Sequence, residues 1–171
     1  MPNWCENELY VEGSKEELEK FVEQAKGEKV LDFNKFIPYP QKFAEADKKA
    51  RKWEKKNPKS WENRPKDGYN SGGYEWCIKN WGTKWNACHL HFYEENPEDL
   101  SYKDEGKLFF KFDTAWSPPA PIVQKMGEVF PKLKFTLLYF ECGSAFQGML
   151  RIENGKVTED KCTEYFGHRG G

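Results

Sequence analysis

The sequence predicts an α+β fold in which one antiparallel sheet carries helices on a single face and a long insertion follows the first helix. Three observations predict it. The strand-like segments alternate one apolar and one mixed face. The helical segments between them show one buried stripe at the 3.6-residue period. Between residues 33 and 86 the chain turns basic and Trp-rich, against the composition on either side. The 171 residues suit one domain, 1–171, with that insertion inside it.

The elements follow in order. Residues 3–12 alternate as a strand, with Cys5, Asn7, Leu9 and Val11 on one face and Glu6, Glu8, Tyr10 and Glu12 on the other. Gly13-Ser14 breaks it, and Ser14 with Glu17 forms a capping box for a helix to about Lys26, buried through Leu18, Phe21, Val22 and Ala25. After the insertion, Cys88 to Tyr93 alternates again, with Leu90 and Phe92 opposite His89 and His91, and the acidic stretch Glu94 to Glu105 reads as a loop. Lys107 to Trp116 is a strand with Leu108, Phe110, Phe112 and Thr114 inward and Phe109, Lys111 and Asp113 outward. Ser117-Pro118-Pro119-Ala120-Pro121 leads into a helix from Ile122 to Phe130 that offers Ile122, Met126, Val129 and Phe130 to the core. Strands at Lys134 to Cys142 and Phe146 to Ile152 follow, and Asn154-Gly155 is a hairpin turn with Val157 starting the return. Without the insertion, this order is the split βαβ, ferredoxin-like arrangement with an extra C-terminal strand.

Composition excludes several classes. Hydrophobic residues make up 37% and charged residues 32%, and no run reaches the length of a membrane helix. The first residues lack the charged-then-apolar order of a signal peptide. Seven Trp, eight Tyr and thirteen Phe argue against disorder. Cys5, Cys77, Cys88, Cys142 and Cys162 have no short spacing, so they read as reduced thiols of a cytoplasmic protein and not as a disulfide, zinc or iron–sulfur framework. No cofactor is expected.

Three sets of motifs, Asn3-Trp4-Cys5-Glu6-Asn7, Asn80-Trp81-Gly82-Thr83-Lys84-Trp85-Asn86-Ala87 and Phe112-Asp113-Thr114-Ala115-Trp116-Ser117-Pro118-Pro119, resemble the Api92-like (YubB ferredoxin-like) family. So does Phe135 to Glu141 followed by Phe146-Gln147-Gly148. The resemblance implies a ferredoxin-like fold and a setting on phages, plasmids and other mobile elements. It carries no activity and no catalytic residues.

Candidate site residues come from the strand faces and the insertion. His89 and His91 sit two apart on one strand face, where they either bind a transition metal with Asp113 or Glu141 of a neighbouring strand or, lacking a third ligand at diagnostic spacing, form a polar sheet surface, which is the favoured reading. Asp113 and Glu141, placed on the mixed face with Tyr139, offer a carboxylate pair for acid–base work. Alternatively, Asp113 and Thr114 tie down the Pro-Pro turn. That face is too acidic for RNA stacking and lacks the corresponding motif. His168 belongs to the C-terminal tail. Trp76, Trp81 and Trp85 pin the insertion to the sheet or line a groove, and Trp81, Trp85 and Trp116 join His89, His91, Asp113, Tyr139 and Glu141 as candidates for a ligand or partner face.

From Lys42 to Lys66 there are 10 Lys or Arg against 4 Asp or Glu, so with −1 overall the remainder carries −7. The centre of this segment reads as a helix that Asn57-Pro58 ends, and Lys48, Lys49, Arg51, Lys52, Lys55 and Lys56 cover several of its faces. Lys48, Lys49, Lys52, Lys55 and Lys56 are candidate phosphate contacts, or simply a solvated surface. The chain is therefore expected to be a non-enzymatic binding module, with a protein partner favoured over nucleic acid and no membrane. An enzyme or small-ligand binder using the face around Asp113 and Glu141 is the alternative.

Overall fold

A computed structural model describes residues 3–59, 61–91 and 106–167. The central strand is β1 (Trp4–Glu12), whose strict alternation buries Cys5, Asn7, Leu9 and Val11 and leaves the intervening residues half-exposed. It pairs antiparallel with β3 (Lys107–Ala115) on one side and β4 (Lys134–Glu141) on the other. β2 (Cys88–His91) flanks β3, and the hairpin of β5 (Phe146–Glu153) and β6 (Lys156–Glu164) extends the β4 side. The sheet order is β2-β3-β1-β4-β5-β6. Its first four strands have the ferredoxin-like order, because each helical crossover returns the chain with one strand between. Asn154 and Gly155, both at positive φ (53° and 72°), make the tight turn between β5 and β6. Phe92, Tyr93, the acidic stretch Glu94 to Glu105 and His168 lie outside the described residues.

Helices α1 (Lys15–Ala25) and α4 (Ala120–Val129) supply the apolar layer over the inner sheet face. Phe21 of α1 is its hub, with rings of Phe36, Phe110, Phe130 and Phe135 at 5.5–6.1 Å. The capping box is half-formed: Ser14 Oγ accepts from the Glu17 N–H at 3.4 Å, while the Glu17 carboxylate turns to Lys20 and Lys132. The α4 stripe is rotated from the predicted one, burying Val123 and leaving Val129 46% exposed. The cause is Gly127, which lies so close to β5 that a Cβ there would be 2.4 Å from Ile152 Cγ2. The helix seats on that glycine, turning Val123 in and Val129 out.

The insertion contains α2 (Gln41–Lys56) and α3 (Gly73–Trp81), with short 3₁₀ turns at Phe33–Lys35 and Tyr69–Ser71. Its two ends are clamped together. Asn86 Nδ2 donates to buried Asp32 at 2.7 Å, and the Phe33 N–H donates to Asn86 Oδ1 at 3.0 Å. Phe33, Phe36, Cys77 and Trp81 join the same apolar cluster as the sheet. The Trp81 indole N–H, buried with its ring, donates to the Ile37 carbonyl at 2.8 Å, and Trp76 packs edge-on against it. These two tryptophans pin the insertion at the core, while Trp85 stays at the surface. Among the described residues no helix is long and apolar enough to cross a membrane.

Candidate binding surface

Segments far apart in sequence meet at one corner of the sheet. The start of β1 pairs with the end of β3, setting Trp4 opposite Ala115, Cys5 opposite Thr114 and Glu6 opposite Asp113. Beneath them Asn7 is fully buried and spends its amide on three acceptors: the Cys5 carbonyl (2.8 Å), the Phe112 carbonyl (3.2 Å) and Thr114 Oγ1 (2.9 Å). Thr114 passes its own proton to the Ser117 carbonyl at 2.7 Å, which fixes the bend into the prolines. Ser117 Oγ donates to the Gly82 carbonyl and Thr83 Oγ1 to the Ala115 carbonyl, joining the end of α3 to the same bend. Gly82 caps α3 at φ +78°, and any side chain there would meet Pro121 and the Pro118 carbonyl.

This hydrogen-bonded base holds a row of aromatic and cationic side chains at the surface. Trp116 sits at φ +74°, a conformation costly for a bulky residue, which aims its half-exposed ring outward. Lys84 Nζ lies 3.1 Å from the centre of that ring and 5.4 Å from the centre of half-exposed Trp85. Trp85 packs at 6.2 Å against Trp4, and Trp4 meets the His89 ring edge-on at 4.6 Å. His89 Nδ1 is 2.8 Å from Asp113 Oδ2 and ends the row. His89 also has positive φ (+45°), because the β2–β3 register slips between Cys88 and His91. Two non-glycine residues in the left-handed region within one surface row indicate stored strain at this corner.

The row adjoins a shallow hollow of about 430 Å³ on the open sheet face, with Glu6, Glu8, Lys111, Leu138, Met149 and Lys161 among its walls. The sheet register aligns these side chains in rows across five strands. Charges here are met locally: Lys111 lies 3.8 Å from Glu6, and Lys161 ion-pairs with Glu159.

Several sequence-based placements are corrected. Tyr139 and Glu141 do not share a face with Asp113. Both are buried with Phe135 and Leu137 on the helix-covered side, and Leu138 and Phe140 take the open side. Tyr139 lies opposite Asn7, whereas Asp113 lies opposite Glu6 on the other surface, so no Asp113–Glu141 acid–base pair exists. Glu141 turns inward because the chain offers it donors there, the Gly143 and Ser144 N–H groups, both at 2.6 Å. Burial pushes its carboxyl up, but these bonds outweigh that and leave it below its ordinary value. Tyr139 is raised by burial. Cys5, buried beside Asn7, is pushed up to about 12 by burial, which disfavours its thiolate at neutral pH.

The remaining candidates divide. His89 and Asp113 are brought together, while His91 is exposed and lies across from Lys111. Among the described residues no three His, Cys, Asp or Glu side chains are grouped to hold a metal ion. Asp113 serves His89, and of the two it is Thr114 that bonds into the proline bend. Trp81 is core, whereas Trp85 and Trp116 are surface. Lys48, Lys49, Lys52, Lys55 and Lys56 are all exposed along α2. They do not cover several faces but form one cationic arc, because Phe43, Ala46, Ala50 and Trp53 turn the opposite side toward the protein. Sequence reasoning missed Trp4 and Lys84 as members of the surface row. Their signal was present: Trp4 alternates onto the open face, and Lys84 stands between Trp81 and Trp85 in one motif.

A family model described as the ferredoxin-like domain in Api92-like protein matches residues 80–168. The crystal structure of a protein Api92 from Yersinia pseudotuberculosis is similar in fold, with a TM-score of 0.56 and 12% identity over 99% of this chain and 100% of that one. None of the curated proteins matches the chain.

Proposed function

Since the chain belongs to the Api92-like family, we propose that it is a non-enzymatic accessory protein of a mobile genetic element that binds a protein partner through the Trp116–Lys84–Trp85–Trp4–His89 row. The observation that carries this reading is the pair of half-exposed tryptophans, 38% and 44% accessible, around one lysine on a rigid, hydrogen-bonded base. Large aromatic side chains held in place give up little freedom on binding and dominate the energy of protein interfaces. The charges around the row favour protein over a phosphate backbone. Lys84, the one lysine of the row, lies against aromatic faces, His89 is hydrogen-bonded to Asp113, and neighbouring Lys111 faces Glu6, so the row offers no free lysine or arginine to a phosphate. A cytoplasmic setting fits the five cysteines, all free thiols.

The test is affinity capture from cells carrying the element, comparing the parent chain with a Trp85→Ala/Trp116→Ala variant. A specific protein retained after nuclease treatment and lost from the double variant is the expected result. Equal capture by both chains, or a complex that nuclease destroys, would overturn the reading.

A further inference from the structure

Among the described residues, strand β6 closes one end of the sheet and pairs only with β5. Its nine residues are exposed almost throughout, so one whole edge of backbone donors and acceptors is open. We propose that β6 pairs antiparallel with β6 of a second copy of this chain, joining the two sheets across a two-fold axis at Asp160.

Three features of the strand fit that operation. The first is charge. Glu159 and Lys161 flank Asp160 and point to the open face, as their partners Arg151 and Met149 do. A two-fold axis perpendicular to the sheet at Asp160 sets Glu159 opposite the partner's Lys161 and Lys161 opposite the partner's Glu159. Within one chain the two are already ion-paired, and Arg151 lies 3.1 Å from Glu159. Pairing would convert each couple into a closed alternating ring, the favoured cross-strand arrangement. The second is exposed apolar surface at the two ends of the strand: Val157 is 46% accessible, and Phe166, just past the other end, is 82% accessible. Antiparallel pairing brings the Val157 end of one strand to the Phe166 end of the other. The third is symmetry itself, since an isologous contact satisfies both copies with one surface and leaves neither β6 edge free to extend.

Two features oppose it and set its strength. Thr158 is an extra residue in the β5–β6 register, a bulge that twists the first part of the strand. At the axis Asp160 meets its own copy, and like charges opposite each other destabilise a pair. An interface of one short edge is also small, so the dimer is weak and concentration-dependent.

The test is light scattering on the eluting full chain over a range of loading concentrations. The expected mass rises with concentration from 20.1 kDa toward twice that value. Glu159→Lys and Lys161→Glu, each folded by circular dichroism, should each weaken the dimer at least tenfold. Mixing the two variants should restore it, because each then opposes the other's charge. Asp160→Asn should tighten it severalfold. A monomer at every concentration would overturn the proposal and leave β6 as a charge-protected edge. A dimer indifferent to Glu159 and Lys161 would overturn it equally. The aromatic row lies elsewhere on the molecule, so its failure as a binding surface would not touch this result.

Discussion

Asn7 illustrates how a polar side chain can be a core residue. Its amide donates to two carbonyls and to Thr114, which orders the bend that carries Trp116. Asn7→Leu fits the space but strands these acceptors, so urea unfolding should show a loss of about 2–4 kcal/mol. The tryptophans should separate by role. Trp81→Ala removes a buried ring and an indole bond, at a cost of about 3–5 kcal/mol. Trp116→Gly relieves positive φ while losing the Lys84 contact, so stability should stay within about 1 kcal/mol of the parent. Partner capture should nevertheless fall at least tenfold. Asp67 provides a pH readout. The Asn70 N–H, the Asn70 amide and Arg64 hold its carboxyl at about 2, below the ordinary 3.8. A depressed carboxyl contributes stability fully above its unfolded value and loses it as pH falls toward 2. Asp67→Asn should therefore be less stable than the parent at neutral pH and less acid-sensitive between pH 4 and about 2, as measured by thermal unfolding across that range.

At the scale of elements, α2 and β4 teach opposite lessons. The cationic arc of α2 follows from period alone: its few apolar residues recur at helical spacing, so its lysines must face water. Exposed lysines contribute little to folding. Replacing Lys48, Lys49, Lys52, Lys55 and Lys56 by Gln should leave circular dichroism and the unfolding midpoint nearly unchanged. The parent should retain no single-stranded oligonucleotide at physiological salt, by fluorescence anisotropy. A salt-dependent complex that vanishes in the Gln variant would shift the function toward nucleic acid. In β4 period decides less, because Phe135, Leu137 and Tyr139 alternate with Leu138 and Phe140, leaving apolar residues on both faces. Nothing local says which set turns inward. The register with β1 decides it, pairing Leu137 with Leu9 and Tyr139 with Asn7.

For the whole molecule, the α+β class, the strand order, the phases of β1 and β3, the turn at Asn154-Gly155 and the end of the basic helix at Asn57-Pro58 are legible in the chain. Each rests on a pattern that one segment carries alone: a clean period of 2 or 3.6, or a turn chemistry. The burial of Glu141, the split between core Trp81 and surface Trp85, and the convergence of the motifs on one corner emerge only from the folded chain. These depend on neighbours distant in sequence. Glu141 can turn inward because the next turn aims two N–H groups at it. The two tryptophans differ because Gly82 reverses the chain between them at positive φ. Trp4, Lys84, Trp85, His89 and Trp116 become one row because antiparallel pairing of β1 with β3 sets the start of one strand against the end of the other, beside the clamped insertion. Burial energy is shared among partners brought together only by the closed fold, so no single segment can state it in advance.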